Sequence, residues 1–429
     1  MREEENPYIL KEEHHYVLDR IQESKGAIFL TGNAGTGKST LLQVLKKTSG
    51  KNIIILAPTG VAAMLVQGQT VHSFFRFPPK WISPKDYKVI PKKIVEKIDL
   101  IVIDEISMVR ADILDHIDAV LRKSTKKNVA FGGIPMLWIG DLYQLPPIIG
   151  SKEEREIFDS LYESPYFFDA NVMRSLASFE IIELQTVFRQ KDKQFIKLLN
   201  KVRFNTLDEE DLQQLNERCG MLPNDKTELF ITLCSTNATA QGINFTQLQK
   251  LNAASKIYAA SIDGVVYPGQ YPVDDHLVLK LGAQVMAVRN DPAKKFVNGS
   301  LGVVTELNER SIKIHFEGQE ASCEVEQVIW ESIKYNLHPD DPTQIEAKVM
   351  GTFTQLPIKL AWAVTIHKSQ GKTFSKVVID LGRGAFENGQ VYVALSRCQS
   401  FEGIYLKQKL RYQDIRTEEK IEEFIRRWS

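Results

Sequence analysis

Short, unbroken apolar runs recur along the chain, with helical stretches between them. They are AIFLT (27–31), NIIILA (52–57), LIVID (100–104), MLWIG (136–140), LFITL (229–233) and KVVIDL (376–381). A β-rich run of this length without polar alternation predicts a strand buried on both faces, the setting of a parallel sheet. Alternation with helices predicts α/β architecture. The rhythm changes between about 248 and 354, where YPVDDHLVLKLGAQVMAVRND and GVVTELNERSIKIHFEG alternate more and turn residues are frequent. That segment predicts an antiparallel β module, a small barrel, set into a second α/β domain. The parallel style returns after about 358. FRFPPKWISPKDYKVIPKK (75–93) is rich in lysine and proline and predicts a loop or hairpin insert in the first domain. TEEKIEEFIRRW (417–428) has helical spacing. The expected division is 1–184 with an insert at about 75–99, then 185–247 plus 355–429, with the β module at 248–354.

Composition narrows the class. Of 429 residues, 43% are hydrophobic and 25% charged, values of a globular protein rather than a disordered one. No apolar run approaches the roughly 18 residues of a membrane span. MREEEN at the start has neither signal-peptide nor transit-peptide character. Cys219, Cys234, Cys323 and Cys398 are far apart and form no CxxC, which argues against a zinc or disulfide framework. The expected setting is a reducing cytoplasm, with nucleoid association if the source is bacterial. The 54 basic and 54 acidic residues cancel, which argues against bulk attraction to polyanions but leaves room for a local basic channel. Residues 76–99 carry seven Lys/Arg against three Asp/Glu, and 280–313 carry six against three. Solvated faces account for such excesses equally well.

AIFLTGNAGTGKSTLLQVL places Gly32, four residues, then Gly37, Lys38 and Ser39 between an apolar strand and an amphipathic helix. This is the context of a phosphate-binding loop. Gly32, Ala34, Gly35, Thr36, Gly37 and Thr40 supply the wrapping backbone and the helix N-terminus. Lys38 reaches the β- and γ-phosphates, and Ser39 binds Mg²⁺. A dinucleotide fingerprint fails, because Thr40 stands where a third glycine is required. LIVIDEIS adds two acids at the end of a buried strand: Asp104 as metal ligand and Glu105 to polarise the attacking water. The pair indicates nucleoside triphosphate hydrolysis with Mg²⁺, and is silent on what the energy drives.

Further segments address that question. APTGVAAMLVQGQTVHSFF (57–75), GDLYQLPP (140–147), LQTVFRQ (184–190), VTIHKSQGKTF (364–374) and VYVALSRC (391–398) follow in order. Together they resemble the motor motifs of superfamily 1 helicases. EISMV after Asp104, and HKSQG, resemble the Pif-family DNA helicases, RecD-like members of superfamily 1B, over about residues 9–406. The resemblance implies two RecA-like P-loop motor domains with parallel sheets and a small inserted SH3-like barrel. It implies that Gln144 senses the γ-phosphate, that Arg189 and Arg397 are arginine fingers, and that Gln370 and Gly371 couple nucleotide state to DNA grip. Thr59, Gly60 and His72 then meet the DNA backbone, with Thr365, His367 and Ser369 as their second-domain counterparts. Phe74 and Phe75 are candidates for base stacking, with core packing the competing reading. Asn298 resembles a DNA-contacting loop residue, or is a hairpin asparagine before glycine. Family members usually carry an adenine-reading glutamine before the first strand. LKEEHHYVL has none, which leaves Glu13 or His14 as substitutes.

The resemblance implies 5′-to-3′ translocation on single-stranded DNA by a monomer, and unwinding of duplex or G-quadruplex DNA. It also implies links to DNA repair, recombination and telomere maintenance. Two other readings stay open: a DNA-stimulated ATPase subunit or remodeller without autonomous unwinding, and a non-motor P-loop switch. The second needs only one motor half.

Overall fold

The computed structural model describes residues 10–428 apart from 79–80, 151, 224–227, 339–340 and 342. Residues 1–9, the start of the expected first domain, lie outside the described residues. Strands β1 (Ala27–Gly32), β2 (Ile53–Ala57), β3 (Gln69–Thr70), β4 (Leu100–Asp104), β5 (Met136–Ile139) and β6 (Phe179–Leu184) form one parallel sheet in the order β3-β2-β4-β5-β1-β6. β1, β4 and β5 are buried throughout, as their unbroken apolar runs require. The neighbours of β1 are strands distant in sequence, so the loops at its C-terminal end open into a crevice. That crevice is where open α/β sheets bind ligands.

β7 (Ile231–Cys234) starts a second sheet, and the chain then leaves it for the β module. The module holds β8 (Lys256–Ala259), β9 (Ser261–Gly264), β10 (His276–Leu279), β11 (Gln284–Ala287), β12 (Leu301–Leu307) and β13 (Ser311–Phe316). It continues with β14 (Cys323–Glu326), β15 (Val328–Leu337), β16 (Ile345–Gln355) and β17 (Ile358–Leu360). Every pairing among these strands is antiparallel. β17 pairs with β11, so the module runs past 354 to Leu360. One of its cores is separate, built on Tyr258, Leu277, Val285, Phe296, Ile314, Phe316 and Ile358, while Met286, Trp330, Tyr335 and Phe353 join the main core. β18 (Ala363–Thr365), β19 (Val377–Asp380) and β20 (Ile404–Leu406) complete the second parallel sheet in the order β18-β7-β19-β20. The two parallel sheets carry the two α/β domains that the apolar runs predict.

The 75–99 insert holds no strand among its described residues. A 3-10 turn at Pro84–Asp86 and a short helix at Lys92–Val95 bury Ile82, Ile90 and Val95 against the first domain. The last helix, Glu419–Trp428, returns from the second domain to the first. There Phe424 stacks on Phe168 at 4.6 Å and meets Phe29 and Phe179.

The β15–β16 hairpin reaches across to the first domain. β3 is only two residues long, so β2 keeps a free edge above it. Tyr335 fills that edge. Its hydroxyl accepts from Ile55 N at 3.1 Å and donates to Ile55 O at 3.5 Å. Asn52 donates to Thr343 O at 3.2 Å and accepts from Ile345 N at 3.1 Å. Tyr335→Phe keeps the ring but strands two buried backbone groups. Such a loss costs about 1–3 kcal/mol, so the Ile55 amide is expected to exchange with deuterium about tenfold faster. Unchanged exchange at Ile55 in the folded variant contradicts this role for the hydroxyl.

Candidate active site at the cleft between the two sheets

The turn after β1 forms the first wall. Gly37 has φ +87° and starts the Lys38–Thr48 helix, a left-handed value that suits glycine. A Cβ on Gly35 would lie 2.5 Å from the Cβ of Arg189, so glycine there lets the second wall close on the loop. Lys38 Nζ donates to Gly32 O at 2.8 Å and Asn33 O at 3.0 Å, which holds the ammonium inside the loop. Burial lowers its pKa, and the charges of Asp141 and Glu105 offset part of that fall. Thr36 is fully buried and donates to Asn33 O at 3.0 Å. Ser39 is exposed and Thr40 half-buried on the first helical turn.

β4 delivers the two acids. Asp104 ends the strand, and Glu105 follows with φ +52°, a left-handed conformation that costs a non-glycine residue about 1–3 kcal/mol. Strain of this kind persists where surrounding structure fixes a side chain for a task. Burial raises the pKa of both carboxyls. Glu105 adds to the rise at Asp104, while Lys38 and Arg397 oppose it at Glu105. Two buried acids beside one lysine favour a further cation. The Asp104 carboxylate and Ser39 hydroxyl are hard oxygen donors of the kind Mg²⁺ takes beside phosphates.

The second wall brings Arg189, Gln370 and Arg397. Arg189 donates to Ser396 O at 3.2 Å, and Phe188 N donates to Gly35 O at 2.9 Å. Arg397 is buried at the end of the Gln390–Ser396 helix and donates to Val393 O at 3.0 Å. Burial pulls Arg189 down to about 9, with the neighbouring Arg397 charge adding to the fall, and burial pulls Arg397 down to about 10. Two guanidiniums so close and so poorly solvated make a site for an anion. Gln144, from the loop after β5, accepts from Gln370 Nε2 at 3.4 Å across the cleft. Gly371 follows in a tight turn at φ +74°. Three residues not singled out from the sequence also meet here: Asp141, Arg203 and Tyr392.

The N-terminal helix lies behind the loop. His14 is buried; its Nδ1 accepts from Lys11 N, which leaves Nε2 to donate to Thr36 O at 3.4 Å. Glu13 accepts from Gln185 N and Thr186 N, so its carboxylate ties down the link between the motor domains.

The nucleic-acid candidates fall into two groups. In the first domain, Thr59 caps the Gly60–Leu65 helix, accepting from Ala62 N at 3.2 Å. Gly60 lies under the β module, where a Cβ would meet Gly269 O at 2.6 Å. His72 is half-buried; burial lowers its pKa, and the Arg110 charge adds to the fall. Phe75 corrects the stacking expectation: it is fully buried and stacks on Phe77 at 5.4 Å, so it packs the core. Phe74 lines a cleft of about 440 Å³ between the insert and the module, together with Arg76, Lys88, Lys93, Lys334 and Tyr335. In the second domain, Thr365 is buried and accepts from Lys368 N at 3.3 Å. His367 pairs with Glu387 at 2.9 Å. Ser369 is fully buried and donates to Ile366 O, so its hydroxyl does not face a backbone phosphate in this arrangement. The Asn298 turn abuts the second-domain loop: a Cβ on Gly299 would lie 3.2 Å from Thr373 O.

Two substitutions test the walls separately. Glu105→Gln is expected to keep nucleotide binding within about twofold while turnover falls at least about 100-fold, because the base is lost and Asp104 remains. Normal turnover by that variant excludes Glu105 as the base. Arg189→Ala is expected to lower kcat about 10³-fold or more with a far smaller change in nucleotide affinity. Lost affinity at unchanged kcat excludes the finger role.

Comparison with known proteins places this geometry in a family. The model of the PIF1-like helicase matches residues 9–213, and that of the DNA helicase Pif1 2B domain matches 269–307. The ATP-dependent DNA helicase Pif1 of Bdellovibrio bacteriovorus is 30% identical over 412 residues, covering 92% of this chain and 87% of that one. The Danio rerio PIF1 helicase is 33% identical over 92% of this chain, which spans 60% of that protein. A crystal structure of Bacteroides sp. Pif1 with ADP-AlF4 superposes with TM-score 0.88 at 37% identity, covering 98% of this chain and 97% of that one. Bacteroides Pif1 bound to single-stranded DNA gives 0.69 at the same coverage. Relatives so similar along nearly the whole length, sharing the two-sheet cleft, show that the chain belongs to the PIF1-like helicase family.

Proposed function

We propose that this chain is an ATP-dependent DNA helicase that translocates 5′-to-3′ on single-stranded DNA. The observation that carries the reading is the convergence of Lys38, Glu105 and Gln144 from one sheet with Arg189, Gln370 and Arg397 from the other. A P-loop switch needs no second wall. In the proposed cycle Glu105 takes the proton of the attacking water as its oxygen bonds to the γ-phosphorus. The bond to the ADP oxygen breaks, and Lys38 and the two arginines neutralise the charge that develops. Ser39 and Asp104 would hold Mg²⁺, whose chemistry there is to draw charge from the phosphate oxygens. Closure around ATP and reopening after hydrolysis move the halves along one strand.

The relatives' names and the Bacteroides complexes with single-stranded and forked DNA support DNA as the track. The Gly60 face is covered by the β module here, and the DNA-bound Bacteroides arrangement differs from this one. We therefore assign to the module a displacement on DNA binding that uncovers the first-domain contacts. The basic cleft between insert and module is the proposed fork-facing wedge. G-quadruplex substrates, a monomeric working unit, cytoplasmic location and a part in repair, recombination or telomere upkeep belong to the same reading. No described helix is long and apolar enough to cross a membrane.

Unwinding of tailed duplexes tests the proposal. A duplex with a 5′ single-stranded tail is expected to open at least about tenfold faster than one with only a 3′ tail. Preference for the 3′ tail overturns the direction and leaves the ATPase intact. ATP hydrolysis stimulated by DNA but without strand separation on either substrate favours the remodeller reading.

A further inference from the structure

The carboxylate of Asp141 is buried at 1% exposure and serves four donors from both motor domains. Its Oδ1 accepts from Tyr143 N and from Arg203 Nη2, each at 3.2 Å. Its Oδ2 accepts from Gln144 Nε2 at 3.2 Å and from the Tyr392 hydroxyl at 3.4 Å. Arg203 ends the Lys193–Arg203 helix of the second domain and also pairs with Glu183 of β6 at 3.1 Å. Its guanidinium lies 4.5 Å from the centre of the Tyr143 ring. Tyr392 sits on the helix that leads to Arg397, and its oxygen accepts from Ala34 N of the phosphate loop at 3.2 Å. The helix begins at Gly389, where a Cβ would clash at 2.4 Å with the carbonyls of both Tyr143 and Gln144.

A carboxylate only accepts hydrogen bonds, so it dictates which end of a neighbouring amide faces it. With Nε2 held by Asp141, the Gln144 oxygen must point the other way, toward Gln370 and the cleft. Flipped, the same amide would present two donors there instead of an acceptor. Only the acceptor can take a hydrogen bond from an attacking water and leave that water's lone pair free for phosphorus.

We propose that Asp141 is a positioning residue that fixes the flip state of Gln144, and that Arg203 and Tyr392 make this setting depend on the second motor domain. The inference rests on the reading of the cleft as an ATPase site. Arg203 and Tyr392 keep the Asp141 carboxylate in place only while the second domain is seated. A shift of that domain withdraws both, and at the same time releases the Ala34 amide. One movement therefore reorients the water-holding side chain and loosens the phosphate loop. The arrangement ties hydrolysis to the relative position of the halves without any contact between Asp141 and nucleotide.

The test is a double-mutant cycle on DNA-stimulated ATP hydrolysis. Asp141→Asn presents an amide where Gln144 needs an acceptor. It is expected to lower kcat about 10–100-fold while the affinity for a non-hydrolysable ATP analogue stays within about twofold. Adding Asp141→Asn to Gln144→Ala is expected to cost no more than about twofold further, because both act through one side chain. Losses that multiply, an affinity that falls in step with kcat, or an unchanged kcat each overturn the proposal. If Asp141→Asn does not fold, Arg203→Gln, which weakens the hold on the Asp141 carboxylate and leaves the Tyr392–Ala34 bond in place, is used in the same cycle with the same expectations. An unmutated chain that hydrolyses no ATP overturns the cleft's ATPase reading itself; one that hydrolyses ATP while all variants match it overturns this inference alone.

Discussion

Uncompensated charge in a buried cleft is the constraint on which the rest of this structure depends. Asp104 and Glu105 are raised by burial, and Lys38, Arg189 and Arg397 are lowered by it. Buried charges are costly unless each finds a partner. Here the partners are only partly within the protein. A nucleoside triphosphate with a divalent cation would supply both missing signs at once, anion to the lysine and arginines, cation to the acids. The fold holds these groups in an arrangement that the protein alone does not neutralise. Binding energy from the ligand is then available to bring the domains together.

The architecture follows from that requirement. A parallel sheet gathers its strand ends at one edge, so β1, β4 and β5 deliver the phosphate loop, the acids and Gln144 to the same crevice. A second sheet is needed to supply cations from the other side. The domains share part of one apolar core, and polar contacts cross beside it: the Arg203 ion pairs and the Tyr392 hydroxyl, with the returning C-terminal helix packed on the first sheet. The β module interrupts the second sheet, keeps one core of its own and packs its β15–β16 face into the main core. It leans on the first domain through the Tyr335 edge contact, so it is able to report on the gap between the halves.

Contiguous features were legible in the sequence. Six apolar runs became β1, β2, β4, β5, β7 and β19, because strands buried on both faces must be apolar throughout. The phosphate loop and acidic pair were readable because a short stretch of backbone carries all their chemistry. β3, β18 and β20 were not, since two or three residues carry no period. β6 was missed because FEIIEL lies at a sheet edge and is only partly buried. Phe75 and Ser369 sit in recognisable motifs, yet whether a side chain faces out depends on packing, and both face in. Asp141 and Tyr392 lay inside motifs that were noticed for other residues. Arg203 had no signal at all. An arginine at a helix end normally reads as surface charge, and its partner is 62 residues away in the chain.

On the proposed reading, nucleotide chemistry in the cleft is tied to a nucleic-acid track through the relative seating of two motor domains. The most direct measurement is steady-state ATP turnover by the intact chain with no nucleic acid, with single-stranded DNA, with RNA and with duplex DNA. Turnover is expected to be slow alone, strongly stimulated by single-stranded DNA, and to lose that stimulation as salt rises, since backbone phosphates carry the contact. Turnover that is the same under all four conditions would contradict it.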